Sequence, residues 1–410
     1  MSHGVVILGA GQAGFQTATS LRQEGFAEPI TLIGDEPGLP YQRPPLSKAF
    51  MLGKQEIGNA TLRPERHYEQ NRITLLTGQA AVAIDRAERR ILLTSGSTVP
   101  FSSLVLAVGA RNRKLPIEGA DLDGVCYLRT AAEAIDVRGR FGSANEIVVI
   151  GGGFIGLELA AAAATLGKSV HVLEALPRLM QRIVSPVLSQ FYRNLHESRG
   201  VRISTSVAIA KIEGEQGRVR GVRLSDGTLL PADLVAIGIG VVPNHELAAA
   251  AGLTVANGIA VDTYLKTDDP EIYAIGDCAE HPNQFAGGRV RIESVQNAVD
   301  QAKCVAAAIV GRSAAYHAVP WFWTDQFDAS LQMVGLSSGY DHVVTRGEPE
   351  SGKFSVFYFR GGTLRAIDSV NRPGEHVAGR KLIAAGVLVS PDQAADLSVD
   401  LKALALSAPS

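Results

Sequence analysis

Cysteine is scarce in this chain of 410 residues, and its scarcity excludes several kinds of chemistry. The three cysteines, Cys126, Cys278 and Cys304, are far apart in the sequence and odd in number. This usage excludes a disulfide framework and is typical of a reducing compartment, so we expect the protein in the cytoplasm. Neither a CxxC nor a CxxxxC spacing occurs, which excludes catalysis by a redox-active pair of neighbouring thiols.

An excess of charge of one sign and long apolar runs are also lacking. The net charge is only -2, which does not support a nucleic-acid role, because such a role needs a basic face. The longest apolar helical run, residues 157–166, is shorter than the about 20 residues that span a bilayer. The N-terminus, MSHGVVILGAG, leads directly into a strand and has no basic export segment. We therefore expect neither nucleic acid nor a membrane as partner.

An internal repeat is the most informative feature that is present. Residues 5–25, VVILGAGQAGFQTATSLRQEG, share a skeleton with residues 147–167, IVVIGGGFIGLELAAAAATLG. Each copy predicts a buried parallel strand, a glycine turn and a small-residue helix that ends at Gly25 or Gly167. We call residues 5–25 the first module and residues 147–167 the second module, and we predict that both bind nucleotides.

The glycines and the following acidic residue give each module its chemistry. In this pattern the first glycine permits a tight turn, the second lets backbone amides approach a pyrophosphate, and the third lets helix and strand pack closely. The acidic residue, about 20 positions further on, accepts hydrogen bonds from a ribose. The first module has Gly9, Gly11, Gly14 and then Asp35, and the second has Gly151, Gly153, Gly156 and then Glu174.

Two dinucleotides are therefore predicted, a firmly held flavin and a freely exchanging nicotinamide. A glutamate such as Glu174 accepts the 2′-hydroxyl of NAD and repels the 2′-phosphate of NADP, which favours NADH. We expect FAD in the first module. The chain can come back to this module at Asp277, after a strand at residues 272–275, and such an extra contact would be superfluous for a freely exchanging nicotinamide. A helix from near Ser294 can point its positive end at the flavin. Three alternatives stay open: a glycine turn without ligand, Glu174 as a solvated loop carboxylate, and Asp277 as a helix N-cap.

The domain organisation follows from these modules and from a change of pattern near Pro320. Beyond it, short alternating strands such as residues 354–359 precede a helix near residues 376–385. The predicted fold class is α/β, with two Rossmann-like dinucleotide-binding domains and a C-terminal α+β domain. We expect a split FAD-binding domain at 1–113 and 244–319, an NAD-binding domain at 114–243, and an interface domain at 320–410.

Five segments carry a resemblance to a known family over essentially the whole chain. The chain resembles the FAD-dependent ferredoxin reductases of bacterial oxygenase systems, whose fold is glutathione-reductase-like. The segments are PYQRPPLSK at 40–48, GGGFIGLE at 151–158, IYAIGDCA at 272–279, RIESVQNA at 291–298 and PWFWTDQ at 320–326. One departure is AVG at 107–109, where such flavoproteins usually have ATG.

The resemblance implies roles for individual residues. Lys48 and Glu158 would meet near the flavin, where a lysine can stabilise the reduced ring and a carboxylate can keep that lysine charged. On its residue type alone, Lys48 is more readily interpreted as a surface lysine. The residues implied to contact FAD are Asp35, Lys48, Val82, Arg129, Asp277 and Val295, and those implied to line the NADH path are Ile155, Glu158 and Glu174.

The resemblance also implies an electron acceptor and its docking site. Trp321 and Trp323 would share one face of a strand, either as a domain-interface cluster or, as the resemblance favours, at the exit of electrons. The implied partner is a two-iron two-sulfur ferredoxin, and through it a haem-thiolate or Rieske-type oxygenase. Such ferredoxins are commonly acidic, so cations should line the docking site. Arg63 and Lys303 match family positions, and Arg66, Arg289 and Arg291 are further candidates.

The predicted function is therefore transfer of hydride from NADH to FAD, and of single electrons from FAD to a ferredoxin. A peroxidase-type enzyme is excluded because PPLSKAF, after the first module, has no cysteine. The alternatives are an NADH-dependent flavoprotein that reduces rubredoxin, quinone or oxygen, and an apoptosis-inducing-factor-like protein whose surface switches with its redox state.

Overall fold

The computed structural model describes residues 3–406, and the chain divides into two compact units. The first unit contains the chain as far as Gln42, then Ala60–Arg111 and Val242–Phe322. The second contains Arg43–Asn59, Asn112–Val241 and the chain from Trp323 onward. Two short strands, Ala110–Asn112 and Val241–Pro243, pair with each other. The three predicted domain boundaries stay a prediction.

A five-stranded parallel sheet forms the centre of the first unit. Its middle strand, Val5–Leu8, is fully buried, because an apolar run of this kind has neighbours on both faces of a parallel sheet. Helix Gln12–Gln23 follows it and packs against helix Val295–Ile309. The strands lie in the order Ile272–Ala274, Ser103–Leu106, Val5–Leu8, Ile30–Gly34 and Ile73–Thr77.

Smaller elements complete the first unit. One sheet is an antiparallel meander, which the sequence interpretation missed, and another has four short strands. The strands of the meander are Ala81–Asp85, Arg90–Leu93 and Thr98–Pro100. The strands of the other sheet are Val255–Ala256, Gly258–Ala260, Ala279–Asn283 and Gly288–Val290. The first unit also contains helices Glu65–Gln70 and Glu246–Ala250 and a 3-10 turn at Gly276–Cys278.

A second five-stranded parallel sheet lies in the second unit and repeats the first. Its middle strand, Glu146–Ile150, leads into helix Phe154–Thr165. The strand order is Arg202–Thr205, Ser169–Glu174, Glu146–Ile150, Leu234–Ile237 and Val125–Tyr127. The other elements are helices Ala131–Ser143 and Pro186–Ser198, the antiparallel strands Ile209–Glu215, Arg218–Leu224 and Leu229–Pro231, and 3-10 turns Pro44–Ser47 and Ile57–Ala60.

The C-terminal region forms a five-stranded sheet covered by helices, as the change of pattern predicts. Thr363–Val370 is its central strand, which helix Pro373–Ala384 packs against, and the neighbouring strand Lys353–Arg360 is buried over residues 354–359. The strand order is Trp321–Gln326, Ala329–Gly335, Thr363–Val370, Lys353–Arg360 and His342–Glu348. Helices Pro391–Ala395 and Leu401–Leu406 and the 3-10 turn Pro349–Ser351 complete this part.

Buried polar side chains form hydrogen bonds that hold the C-terminal sheet in place within the second unit. The Tyr358 hydroxyl donates to Asp368 Oδ2 at 2.5 Å and accepts the amide hydrogen of Ser185 at 3.0 Å. Burial raises the pKa of Asp368 to about 7. Arg346 is 6% exposed, pairs with Glu375 at 3.1 Å and donates to four carbonyls of residues 394–399. The hydrogen bonds of Arg346 attach residues 394–399 to the sheet.

No helix within residues 3–406 combines the length and the apolar character that crossing a bilayer requires.

Candidate dinucleotide and electron-transfer site

The glycines of the first module form a cradle whose geometry explains each of them. Gly9 has a φ of +105°, and a Cβ there would overlap the carbonyl oxygen of Ala107. A Cβ on Gly14 would overlap the carbonyl oxygen of Gly9. Gly11 is the N-cap of helix Gln12–Gln23, and a Cβ there would meet nothing within 4 Å. The amides at this helix N-terminus are thus accessible to a pyrophosphate, which fits a dinucleotide such as FAD.

The second module repeats this geometry in the second unit. Gly151 has a φ of +109°, and a Cβ there would overlap the Gly238 carbonyl oxygen. A Cβ on Gly156 would overlap the Gly151 carbonyl oxygen, whereas one on Gly153 would lie 4.0 Å from its nearest neighbour. Gly153 is the N-cap of helix Phe154–Thr165. Two cradles of the same design therefore exist, and each has room for one pyrophosphate.

The two acidic residues lie at the carboxyl ends of the strands where they were predicted. Glu174 ends strand Ser169–Glu174, and its Oε2 accepts from the Gly152 amide at 2.7 Å while its Oε1 accepts from the Leu176 amide at 2.8 Å. The interpretation of Glu174 as a solvated loop carboxylate is therefore wrong. Each oxygen keeps a lone pair for a ribose hydroxyl. Asp35 follows strand Ile30–Gly34 and is exposed.

Asp277 and Val295 both lie in the first unit, Asp277 in a short 3-10 turn and Val295 at the start of a long helix. Asp277 lies in the 3-10 turn Gly276–Cys278, and its carbonyl accepts from Arg291 Nη1 at 3.0 Å. Ser294 caps helix Val295–Ile309 by accepting from the Asn297 amide at 3.1 Å. Ile275 is the N-cap of the 3-10 turn and Ser294 is that of the next helix, so the alternative of Asp277 as a helix N-cap is wrong. Val295 is the first residue of the helix and is half-buried.

Lys48 and Glu158 are brought together in the second unit. Lys48 Nζ lies 2.7 Å from Glu158 Oε1, and Glu158 is only 3% exposed. Thr324 Oγ1 donates to the same oxygen at 2.6 Å, and Ser47 Oγ donates to Glu158 Oε2. A buried carboxylate needs such donors, because water cannot solvate it. The interpretation of Lys48 as an ordinary surface lysine is therefore wrong, while the roles of the pair stay predictions.

The other residues implied to contact cofactors lie in less distinctive surroundings. Val82 is 51% exposed on strand Ala81–Asp85, and Ile155 is 42% exposed in the first turn of helix Phe154–Thr165. Arg129 is half-buried, and its carbonyl accepts from Arg43 Nη1 at 2.6 Å. The contacts of all three with FAD or NADH stay predictions.

The proposed exit residues lie on or near the surface. Trp321 and Trp323 are half-buried on strand Trp321–Gln326, and the Trp321 amide donates to Gln296 Oε1 at 3.1 Å. The Lys303 side chain is 59% exposed and lies 3.8 Å from Asp300 Oδ1, whereas Arg63 is simply exposed.

The three further candidate cations differ in their exposure. Arg66 is exposed, and Arg289 pairs with Glu280 at 3.4 Å. The Arg291 side chain is only 9% exposed and pairs with Glu293, so it offers a partner little surface.

Four residues of this region were missed by the sequence interpretation. Ser47 and Thr324 contact Glu158, Gln326 contacts Thr324, and His196 contacts Gln326. A signal existed for three of them, because Ser47 lies in PPLSK and Thr324 and Gln326 lie in PWFWTDQ. His196 lies in helix Pro186–Ser198, outside every segment that carries the resemblance.

The three cysteines are free thiols in apolar surroundings. Burial raises the pKa of Cys126 to about 12 and that of Cys278 and of Cys304 to about 11. Thiols with such pKa values stay protonated at neutral pH and are poor nucleophiles. Within residues 3–406, moreover, no cluster of three or more histidine, cysteine or acidic side chains could hold a metal ion.

Comparison with known proteins gives matches along nearly the whole chain. The family described as pyridine nucleotide-disulphide oxidoreductase matches residues 3–302, and the family described as reductase C-terminal matches residues 321–405. Rhodocoxin reductase of Rhodococcus erythropolis is 50% identical over 398 residues, which cover 97% of this chain and 93% of that protein.

Two reductases are among the solved structures that are similar to the present one. The ferredoxin reductase for the CYP199A2 system from Rhodopseudomonas palustris has a TM-score of 0.97 at 49% identity, covering 98% of this chain and 100% of that one. The putidaredoxin reductase in a covalent complex with putidaredoxin has a TM-score of 0.96 at 41% identity, covering 99% and 98%.

These matches confirm the predicted resemblance to ferredoxin reductases, the predicted fold class, the enzyme class, and FAD and NAD(H) as cofactors. The chain therefore belongs to the pyridine nucleotide-disulphide oxidoreductase family.

Proposed function

We propose that this protein is an FAD-containing reductase that oxidises NADH and passes single electrons to a two-iron two-sulfur ferredoxin of an oxygenase system. The observation that carries the proposal is the pair of matching glycine cradles, one in each compact unit. Two cradles provide for two dinucleotides at once, as transfer between a nicotinamide and a flavin requires. Bound FAD would supply the conversion of one hydride into two single electrons.

The residues of the first unit would hold FAD. Gly9, Gly11 and Gly14 leave the helix amides accessible for the pyrophosphate, and Asp35 would accept from the adenosine ribose. Asp277 and the N-terminus of helix Val295–Ile309 would contact the remainder of the cofactor, where the positive end of the helix favours negative charge.

The residues of the second unit would bind NADH and govern hydride transfer. Gly151, Gly153 and Gly156 form the pyrophosphate cradle, and Glu174 would accept from the ribose hydroxyls. Glu158 would hold Lys48 in place, since the carboxylate accepts directly from its ammonium group. A positive charge held there stabilises negative charge that develops on a reduced flavin.

The electron acceptor is the part of the proposal that depends on relatives. Putidaredoxin reductase has been captured in a covalent complex with putidaredoxin, and another relative is named rhodocoxin reductase. The likeness covers the C-terminal sheet, which carries Trp321 and Trp323. A ferredoxin approaching this region would meet aromatic rings suited to passing electrons and, if Lys303 and Arg63 contribute, positive charge.

A panel assay tests the choice of acceptor. The purified holoenzyme is mixed with NADH and with a two-iron two-sulfur ferredoxin, a rubredoxin, a quinone or oxygen alone, and acceptor reduction is followed by absorbance. We expect the highest catalytic efficiency with the ferredoxin. A rubredoxin or a quinone reduced more efficiently than every ferredoxin of the panel would contradict the proposal and favour the corresponding alternative.

The cytoplasm is part of the same proposal. It is supported by the three free thiols, which a reducing compartment keeps in that form. The apoptosis-inducing-factor-like alternative predicts NADH binding with little turnover, and a high turnover number in the panel assay would exclude it.

A further inference from the structure

A chain of hydrogen bonds links Glu158 to a histidine deep in the second unit. Thr324 Oγ1 donates to Glu158 Oε1 at 2.6 Å, and Gln326 Nε2 donates to Thr324 Oγ1 at 3.3 Å. His196 Nε2 lies 2.9 Å from Gln326 Oε1. All four residues are at most 3% exposed. We call these four residues the buried chain.

The direction of every bond in the buried chain can be assigned from one end. Glu158 is paired with Lys48, so its carboxylate accepts, and the Thr324 hydroxyl must use its single hydrogen to donate to it. Thr324 then accepts from the amide nitrogen of Gln326, which turns the Gln326 oxygen toward His196. His196 must therefore carry its proton on Nε2. Burial lowers the pKa of His196 to about 4, so the ring is neutral at physiological pH.

Three bonds that donate in the same direction act together on the carboxylate. Each bond polarises the next, and the effect is larger in a water-excluded interior than in solvent. Ser47 completes the surroundings by donating to the other oxygen, Oε2. The carboxylate is consequently held in one orientation, with Oε1 accepting from both Lys48 and Thr324.

We infer that Thr324, Gln326 and His196 are positioning residues for NADH-to-flavin transfer, acting by holding Glu158 as the hydrogen-bond acceptor of Lys48. This inference rests on the proposed role of the Lys48–Glu158 pair. It extends that role to the C-terminal sheet, because Thr324 and Gln326 lie on strand Trp321–Gln326. The strand that carries both tryptophans is thereby bonded to the carboxylate that the NADH path is proposed to contain.

Substitutions at the two ends of the buried chain test the inference on the holoenzyme. Flavin reduction at saturating NADH is measured by stopped flow for Thr324→Val, Thr324→Ser, His196→Phe and the double variant Thr324→Val/His196→Phe. We expect Thr324→Val to slow the step about tenfold, the usual scale for a lost hydrogen bond to a charged group. Thr324→Ser, which keeps the hydroxyl, should restore the rate to within about twofold.

The double variant shows whether Thr324 and His196 act through one chain of hydrogen bonds or as two independent sites. If both residues act through one chain, the double variant should be no slower than Thr324→Val alone, because the chain is already broken there. The matched control is Ser355→Ala, which removes a buried hydroxyl from the same sheet at a bond to Ser369, away from the buried chain. Multiplicative slowing in the double variant, or equal slowing in the control, would overturn the inference.

A spectroscopic measurement needs neither turnover nor a variant. The ring nitrogens of His196 are observed by ¹⁵N NMR in the wild-type holoenzyme, where we expect a protonated Nε2 and a bare Nδ1. A proton on Nδ1 would contradict the assigned direction of the buried chain. Ferredoxin reduction enters none of these measurements, so a failure of the proposed electron acceptor would be recognised separately.

Discussion

Glu174 has a structural role, and we propose that the same side chain recognises the ribose of NADH. Its two oxygens accept the amides of Gly152 and Leu176, which fixes the carboxylate at the carboxyl edge of the second parallel sheet. The nearby Arg178 donates to Ser189 Oγ at 2.7 Å, so its guanidinium is engaged within the following segment. With Arg178 engaged in this way, a fixed carboxylate at the proposed ribose site disfavours a 2′-phosphate.

We therefore expect NADH to be preferred over NADPH by at least about tenfold in catalytic efficiency, equivalent to roughly 1.4 kcal/mol. Glu174→Ser should narrow this ratio, because the repulsion of the 2′-phosphate is removed. Steady-state kinetics with both nucleotides measure it. Glu146→Ser, at the opposite end of the same sheet, is the matched control and should leave the ratio unchanged. If Glu174→Ser leaves the ratio of the catalytic efficiencies with NADH and NADPH unchanged, Glu174 does not distinguish the two riboses.

The cysteines make a second prediction for single residues. Their pKa values, raised to about 11 or 12, keep all three thiols protonated at neutral pH. Reduction by NADH should therefore give no long-wavelength band from a thiolate beside the flavin. A variant with Cys126, Cys278 and Cys304 all replaced by alanine should keep normal flavin reduction by NADH, measured by stopped flow. Loss of flavin reduction with FAD still bound would contradict the account.

At the scale of elements, each glycine cradle contains a glycine needed for close packing and another needed for access of the proposed ligand. A Cβ at Gly156 overlaps a backbone oxygen, whereas one at Gly153 enters open space at the helix N-terminus. The same contrast holds between Gly14 and Gly11 in the first module. Gly14 and Gly156 are thus required by the fold, whereas Gly11 and Gly153 are required by the proposed ligand.

We predict that Gly153→Ala folds normally and keeps its FAD but raises the KM for NADH about tenfold, because its methyl group would obstruct the pyrophosphate. Gly156→Ala should instead lower the melting temperature, because helix and strand can no longer approach closely. Calorimetry and NADH titration of both variants distinguish the two effects. A wild-type KM in Gly153→Ala would contradict the assignment of this cradle to NADH.

The modules could be predicted from the sequence because their determinants are local. A strand, a glycine turn and a helix lie within 21 residues, and a Cβ on Gly14 or Gly156 would overlap a carbonyl oxygen of the same module. The surroundings of Glu158 could not be predicted in the same way. Thr324 lies 166 residues from Glu158 in sequence, and only tertiary packing brings the two together. The family resemblance supplied Lys48 as the partner of Glu158, but residue types alone favoured a surface lysine.

At the scale of the whole molecule, the proposal requires two half-reactions that different residues can affect separately. Trp323 lies on the first strand of the C-terminal sheet, and the Lys303 side chain is 59% exposed. If these residues serve the exit of electrons, their loss should leave the entry of hydride intact.

We predict that Trp323→Ala and Lys303→Glu slow ferredoxin reduction while flavin reduction by NADH keeps its rate. The slowing caused by Lys303→Glu should become smaller at high salt. Exposed charges are screened within about 8 to 10 Å at physiological ionic strength, and within shorter distances as the salt concentration rises. Stopped flow with a two-iron two-sulfur ferredoxin measures each half-reaction. Arg312→Glu, another exposed cation of the first unit, serves as a control. Equal slowing of both halves would mean that these residues only support the fold.

The central claim is that one NADH delivers two single electrons to a ferredoxin, and its most direct test is a stoichiometric titration. Holoenzyme in catalytic amount is given a known quantity of NADH under anaerobic conditions with excess oxidised two-iron two-sulfur ferredoxin, and both absorbances are followed to completion. The account predicts two ferredoxins reduced for each NADH oxidised. NADH oxidation without reduction of the ferredoxin, or no oxidation at all, would contradict it.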